Sequence, residues 1–204
     1  MGIETTGYDV PVGTYEDAKA LVGTTTPVRF GEIAVSVPMI RHYAAMVQDG
    51  NAAYWDDDFA ERHWGGVVAP PGMLMTWLIP LEWKPGGGRP VPLLTARVPL
   101  PGDTFINVSN DSEHFAPIRV GDHLNVVEEL VAVSEAKRSS LGTGHFVTTV
   151  STYRRHDGEL LARATNVLYR FSAPEAERRR GRGPSGPAPE APRAGSIGDS
   201  EDDA

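Results

Sequence analysis

The sequence predicts an α+β fold, an antiparallel sheet folded over helical material. Three observations predict it. Helical apolar spacing is confined to residues 15–78, β-branched and aromatic runs parted by turn residues fill 95–171, and the stretch after Ser172 is poor in apolar side chains. Helices followed by strands is the pattern of a sheet with its helices on one side. A single domain is expected over residues 1–172. Residues 173–204, rich in Pro, Gly, Ala and charge, cannot bury enough apolar surface to offset their ordering entropy and are expected to be a disordered tail. Its Arg178-Arg179-Arg180 run reads as a solvated linker or, alternatively, a docking arm.

The elements follow in order. Residues 15–21 form a short helix, 23–30 are turn-rich, and 32–37 alternate like a short strand. Pro38 suits the first turn of the next helix because its missing N–H is not needed there, and Ser36 is a candidate cap. Met39, Ile40, Tyr43, Ala44 and Val47 recur on one face. Asp49-Gly50-Asn51 then breaks that helix near Gln48. Residues 57–63 form a second helix, and 72–78 a third, begun by Pro70-Pro71. Gly86-Gly87-Gly88 marks an exposed loop. Strands are expected at 97–99, 104–109, 124–133, 144–154 and 160–171. Asp157-Gly158, after His156, is the best hairpin turn, because this pair adopts positive φ cheaply.

Composition removes several classes of function. The chain has 204 residues, 40% hydrophobic and 23% charged, with net charge −8. Five arginines against seven acids leave the tail at −2 and the body at −6. An acidic body lacks the clustered basic face that nucleic acid requires and is repelled by anionic lipid. With no cysteine there is no disulfide, thiolate nucleophile or cysteine zinc site, which is compatible with a reducing, cytoplasmic setting. The N-terminus lacks a basic and then apolar leader, and no apolar run reaches the roughly 20 residues of a membrane span. His42, His63, His114, His123, His145 and His156 show no metal-ligand spacing, so no metal is expected. Phosphate-cradle and G-x-S-x-G motifs are absent too.

Residues 38–78 resemble the MaoC-like dehydratases, in particular the N-terminal, fungal-fatty-acid-synthase-like half of that group. Catalytic members read D-x-N-P-[IL]-H followed by [IV]-A-H-G-M; this chain reads Asp49-Gly50-Asn51-Ala52-Ala53-Tyr54, then Val68-Ala69-Pro70-Pro71-Gly72-Met73. Phe115-Ala116-Pro117-Ile118-Arg119-Val120-Gly121-Asp122 is similar to the family's F-x-P-[IV]-x-x-G-D, and the hairpin around Ser134 to Val147 and the strand through Tyr153 to Ala162 also fit. The resemblance spans residues 15–171 and implies a hot-dog fold, with a curved sheet wrapped around a helix over 38–48.

The implied chemistry is addition of water across a trans-enoyl thioester. It demands a base of near-neutral pKa and preorganised donors for the developing enolate. Tyr54 stands at the histidine position, and a phenol of pKa about 10 is a poor base at neutral pH. The second histidine position is also altered, by Pro70-Pro71. The resemblance therefore implies a chain without an intact catalytic pair, with Asp49 and Tyr54 as degenerate positions. Asp49 and Asn51 have an equally good reading as turn formers, and Tyr54 and Trp55 read first as core or interface aromatics.

The expected role is the acyl-CoA-binding subunit of a heteromeric (R)-specific enoyl-CoA hydratase. Its partner would be a catalytic MaoC-like chain, its ligand a bulky acyl-CoA such as a steroid side chain or fatty acyl, and its cofactor none beyond the CoA thioester itself. Expected binding residues are Asn51, Ala69, Pro70, Pro71, Gly72, Met73, Met75 and Trp77, with Lys137 and Arg138 on CoA phosphates. The stretch from Pro70 to Trp83 reads as a channel wall, methionines being adaptable gap fillers, or as ordinary core. The alternatives are a self-sufficient hydratase using Asp49 with Tyr54 or a remote histidine, and a thioesterase, which fits poorly because residues 39–48 carry no carboxylate.

Overall fold

A computed structural model describes residues 10–81, 83–87 and 93–172. The expected tail over 173–204, and Gly88 of the triple-glycine loop, lie outside the described residues. Among those described, the elements are α1 (Tyr15–Lys19), β1 (Arg29–Phe30), α2 (Val37–Met46), α3 (Ala52–Trp55), α4 (Asp57–Trp64), two 3₁₀ turns (Pro71–Met73 and Thr76–Leu78), α5 (Leu94–Arg97), β2 (Thr104–His114), β3 (Leu124–Val133), β4 (Lys137–Ser139), β5 (Gly142–Arg155) and β6 (Leu160–Phe171). No described helix is long and apolar enough to cross a membrane.

The strands form one antiparallel sheet in the order β1-β3-β5-β6-β2, with the short β4 pairing the start of β5. The β5–β6 turn works as its sequence predicts: Gly158 sits at φ +96 and the Asp157 carboxylate accepts from the Glu159 N–H at 3.0 Å. Ile40 and Ala44 of α2 are fully buried and share a core with Val126, Tyr153, Leu161 and Ala162 from the sheet. A smaller core joins Ala18 to Val98, Leu100, Leu130 and Val147. Arg170, only 2% exposed, donates to the carbonyls of Gly102 (2.9 Å), Val98 (2.5 Å) and Pro11 (2.6 Å), so one guanidinium fastens two loops to β6.

α2 ends in a Schellman motif. Gln48, at φ 58, donates to the Ala45 carbonyl (3.2 Å), and Asp49 donates to that of Ala44 (2.8 Å). Gln48 thus holds the left-handed conformation normally left to glycine, a strain of roughly 1 kcal/mol.

Several expectations need correction. Residues 32–37 are not a strand. Gly31 abuts the Trp77 carbonyl so closely that an added Cβ would lie 2.3 Å from it, and the chain leaves the edge of β3 there. Val35 then exchanges two backbone hydrogen bonds with Asp122 and Gly121, which produces the alternating burial without a ladder. Residues 97–99 are the end of a helical turn and a buried loop, because Val98 and Leu100 fill the smaller core instead of pairing. Residues 72–78 form two 3₁₀ turns rather than one α-helix, with bonds closing over three residues. Ser36 occupies the cap position of α2, but its hydroxyl makes no capping bond. β2 runs on to His114, where ladder pairing with β6 overrides the low strand propensity of Asn110, Asp111 and Glu113.

Candidate functional site

The loop after α2 carries the residues the sequence singles out. Asp49 turns its carboxylate onto the Asn51 N–H (3.0 Å), and its carbonyl accepts from the Trp55 indole (2.7 Å). The Asn51 amide oxygen accepts from the Ala53 N–H (3.0 Å) and caps α3. Both polar side chains are therefore engaged in local turn geometry. α3 places Tyr54 inward, 6% exposed. Burial, and then the nearby Asp49 carboxylate, push its phenol above the ordinary value of 10.0, against a smaller opposing pull from the Asn51 side chain. Arg41 of α2 ties this segment down by donating to the Tyr54 carbonyl (3.1 Å) and pairing with Asp57 (2.7 Å).

Tyr54 borders a cavity of about 440 Å³ that also takes in Asn51, Ala69, Pro71 and, from the opposite wall, His114 and residues 115–118. His114 reaches this cavity from the last position of β2, opposite Ala162 of β6. No spacing along the chain links it to Tyr54; only sheet register does so. Gly72 lies beside this cavity against Tyr43, where a Cβ would meet the phenol oxygen at 2.4 Å.

A second cavity, also about 440 Å³, lies between the sheet and the segments around Met75 to Pro80 and Leu93 to Ala96. Its roof is apolar. Its floor carries Glu128, Thr149, Ser151, Tyr153 and Asn166 on three adjacent strands, with Arg29 at the margin. Burial pushes the Tyr153 phenol above its ordinary value.

The structure thus divides the expected binding residues. Asn51, Ala69 and Pro71 line the cavity at Tyr54, and Met75 lines the second. Met73 (1% exposed) and Trp77 (0%) line neither and belong to the core, and Pro70 is buried with them in the same segment. Lys137 and Arg138 are exposed on β4 and face neither cavity. Among the described residues no cluster of three or more metal-ligating side chains occurs.

A curved antiparallel sheet over one buried helix defines a hot-dog fold. The model of the FAS1-like dehydratase domain region matches residues 20–164. The chain therefore belongs to the MaoC-like, FAS1-like dehydratase family. It is 36% identical over 169 residues to the probable enoyl-CoA hydratase alpha subunit of Thermomonospora curvata, covering 78% of this chain and 52% of that protein. The chain thus spans about half the length of this curated relative. Among solved structures, it is similar to the ChsH1-ChsH2 complex from Mycobacterium tuberculosis (TM-score 0.61, 21% identity, 78% of this chain and 94% of that one). It is also similar to a MaoC-like dehydratase from Rhodospirillum rubrum (TM-score 0.52, 21% identity, 75% and 94%).

Proposed function

We propose that this chain is the acyl-CoA-binding, non-catalytic subunit of a heteromeric (R)-specific enoyl-CoA hydratase, acting on a bulky acyl group such as a steroid side chain or a fatty acyl. The observation that carries this reading is Tyr54. Hydration places the oxygen of water on the β-carbon and a proton on the α-carbon, so a group near neutral pKa must hold both protonation states at working pH. The phenol at the base position is buried and shifted upward, away from that range. A second hot-dog chain carrying Asp and His with four residues between them would supply the base. The CoA thioester is the substrate, and no further cofactor is required.

Two further observations support a heteromer. The curated relative is named as a subunit, and the neighbour from M. tuberculosis is a complex of two named components. β2 lies at the end of the sheet and pairs only with β6, leaving Phe105, Ile106 and Val108 at 40–50% exposure on an eleven-residue strand. Open edges of this length invite pairing with another strand. In the assembled enzyme Lys137 and Arg138 are the candidate contacts for CoA phosphates.

The test is hydration of crotonyl-CoA and longer trans-enoyl-CoA by the purified chain alone. Binding without turnover is the expected result; robust turnover overturns the reading. One observation favours the second reading, a self-sufficient hydratase: His114 faces the same cavity as Tyr54. Under it the lone chain turns over and His114→Ala abolishes the rate.

A further inference from the structure

The floor of the second cavity is unusual for a sheet interior. Thr149 and Ser151 are 3% and 8% exposed, and both face a space roofed by Met75, Leu78, Ile79 and Leu93. In the register of the sheet, Glu128 sits opposite Ser151, and Thr149 sits opposite Asn166, so the polar side chains form a row crossing β3, β5 and β6. Their hydrogen-bonding capacity is only partly used. Thr149 has no side-chain partner among the described residues. Glu128 accepts from the Leu94 N–H through one oxygen at 3.0 Å, and the other has no bond among the described residues. Asn166 donates to Asn107 (3.0 Å) and to the Ser109 carbonyl (3.3 Å) through its amide nitrogen, which leaves its oxygen to accept.

The volume, about 440 Å³, falls within the roughly 300–1,000 Å³ of small-molecule sites. A plain hydrocarbon entering it would strip water from Thr149, Ser151 and Glu128 and return nothing. Buried polar groups left unmatched disfavour such a ligand, whereas one that replaces the lost bonds is retained. We infer that this cavity receives the acyl group, and that the row Glu128–Thr149–Ser151–Asn166 selects acyl groups bearing a hydroxyl or ketone oxygen remote from the thioester. The row offers both bond types: Glu128 accepts from a hydroxyl, while Thr149 and Ser151 donate to a carbonyl. Tyr153, whose phenol shares a side-chain hydrogen bond with Ser151, extends the polar row. The inference rests on the acyl-CoA-binding reading and extends it to substrate class.

The experiment measures dissociation constants by calorimetry for decanoyl-CoA, ω-hydroxydecanoyl-CoA and (ω−1)-oxodecanoyl-CoA with the full-length chain. Either oxygenated thioester should bind about tenfold tighter than decanoyl-CoA, the size of one well-made hydrogen bond. Thr149→Val, a near-isosteric change, and Ser151→Ala should each bring the ratio toward one. In both variants decanoyl-CoA should bind as before or more tightly, which also reports that they fold. Equal binding of all three thioesters by the wild-type chain overturns the inference while leaving acyl-CoA binding intact. A preference that survives both substitutions overturns it as well. Failure of every thioester to bind overturns the acyl-CoA-binding reading itself.

Discussion

Two cavities of the same volume border β2 and the 71–75 segment, and they differ in where their polar groups sit, beyond a helix end in one and on the faces of strands in the other. At Tyr54, one side-chain oxygen each of Asp49 and Asn51 accepts from the backbone of the turn and of α3. On the sheet, Thr149 and one oxygen of Glu128 keep unused capacity behind an apolar roof. Polar residues at a family's reacting positions therefore do not by themselves make a reacting site. What matters as well is which atoms their hydrogen bonds already hold.

Variants can break or sharpen this contrast. The largest effect belongs to neither cavity and sets the scale. Arg170→Ala would leave the carbonyls of Pro11, Val98 and Gly102 without their donor, and should lower unfolding free energy by about 3–5 kcal/mol in urea titrations. Next, Gly72→Ala drives a Cβ into the Tyr43 hydroxyl, the far end of a side chain that can shift, and should cost about 1 kcal/mol. Tyr43→Phe in the same chain should recover part of that loss, and a strictly additive double mutant would refute the contact. Asn51→Ala removes the α3 cap and should cost about 1 kcal/mol, with acyl-CoA affinity unchanged. If affinity falls instead, Asn51 is not merely a turn residue.

Across the sheet the sign reverses. Thr149→Val replaces an unmatched hydroxyl with a methyl and should leave thermal stability unchanged or raise it by roughly 0.5 kcal/mol. A clear loss would show that the hydroxyl has a partner inside the fold. The smallest effect is at Tyr54. Its folded pKa lies above the unfolded value, so its contribution to stability is complete below pH 10 and is lost as pH rises through the folded pKa. Tyr54→Phe should leave stability at pH 7 essentially unchanged and soften the fall above pH 10. Phenolate absorbance would still show a late-titrating group, since Tyr153 is shifted the same way.

How much of this was legible in the sequence follows from which forces acted locally. β3 and β6 match their expected bounds residue for residue, and α2 matches within two residues at its end, because period and turn chemistry fix them. The run Thr148-Thr149-Val150-Ser151-Thr152-Tyr153 is different. Both phases of that strand are polar, so alternation cannot tell which face is inside, and the floor of the second cavity stayed hidden until register was known. His114 was equally invisible, since its neighbours in the cavity come from residues 51–71 and 115–118, brought together by the sheet. That Asp49 and Tyr54 stand at the family's reacting positions could be read only through the resemblance. Which atoms the hydrogen bonds of this loop hold could not be read at all, because that depends on caps formed only once α3 folds.

The bare outer side of β2 has a consequence for dosage. Orphan copies of the chain present eleven residues of ready template, with Phe105, Ile106 and Val108 beside it, and are predicted to stack on one another or be degraded. The amount that persists in a cell would then be capped by whatever covers that strand. Raising expression of this chain alone should enlarge the insoluble fraction without enlarging the soluble one, and proportional growth of the soluble pool would count against such a cap.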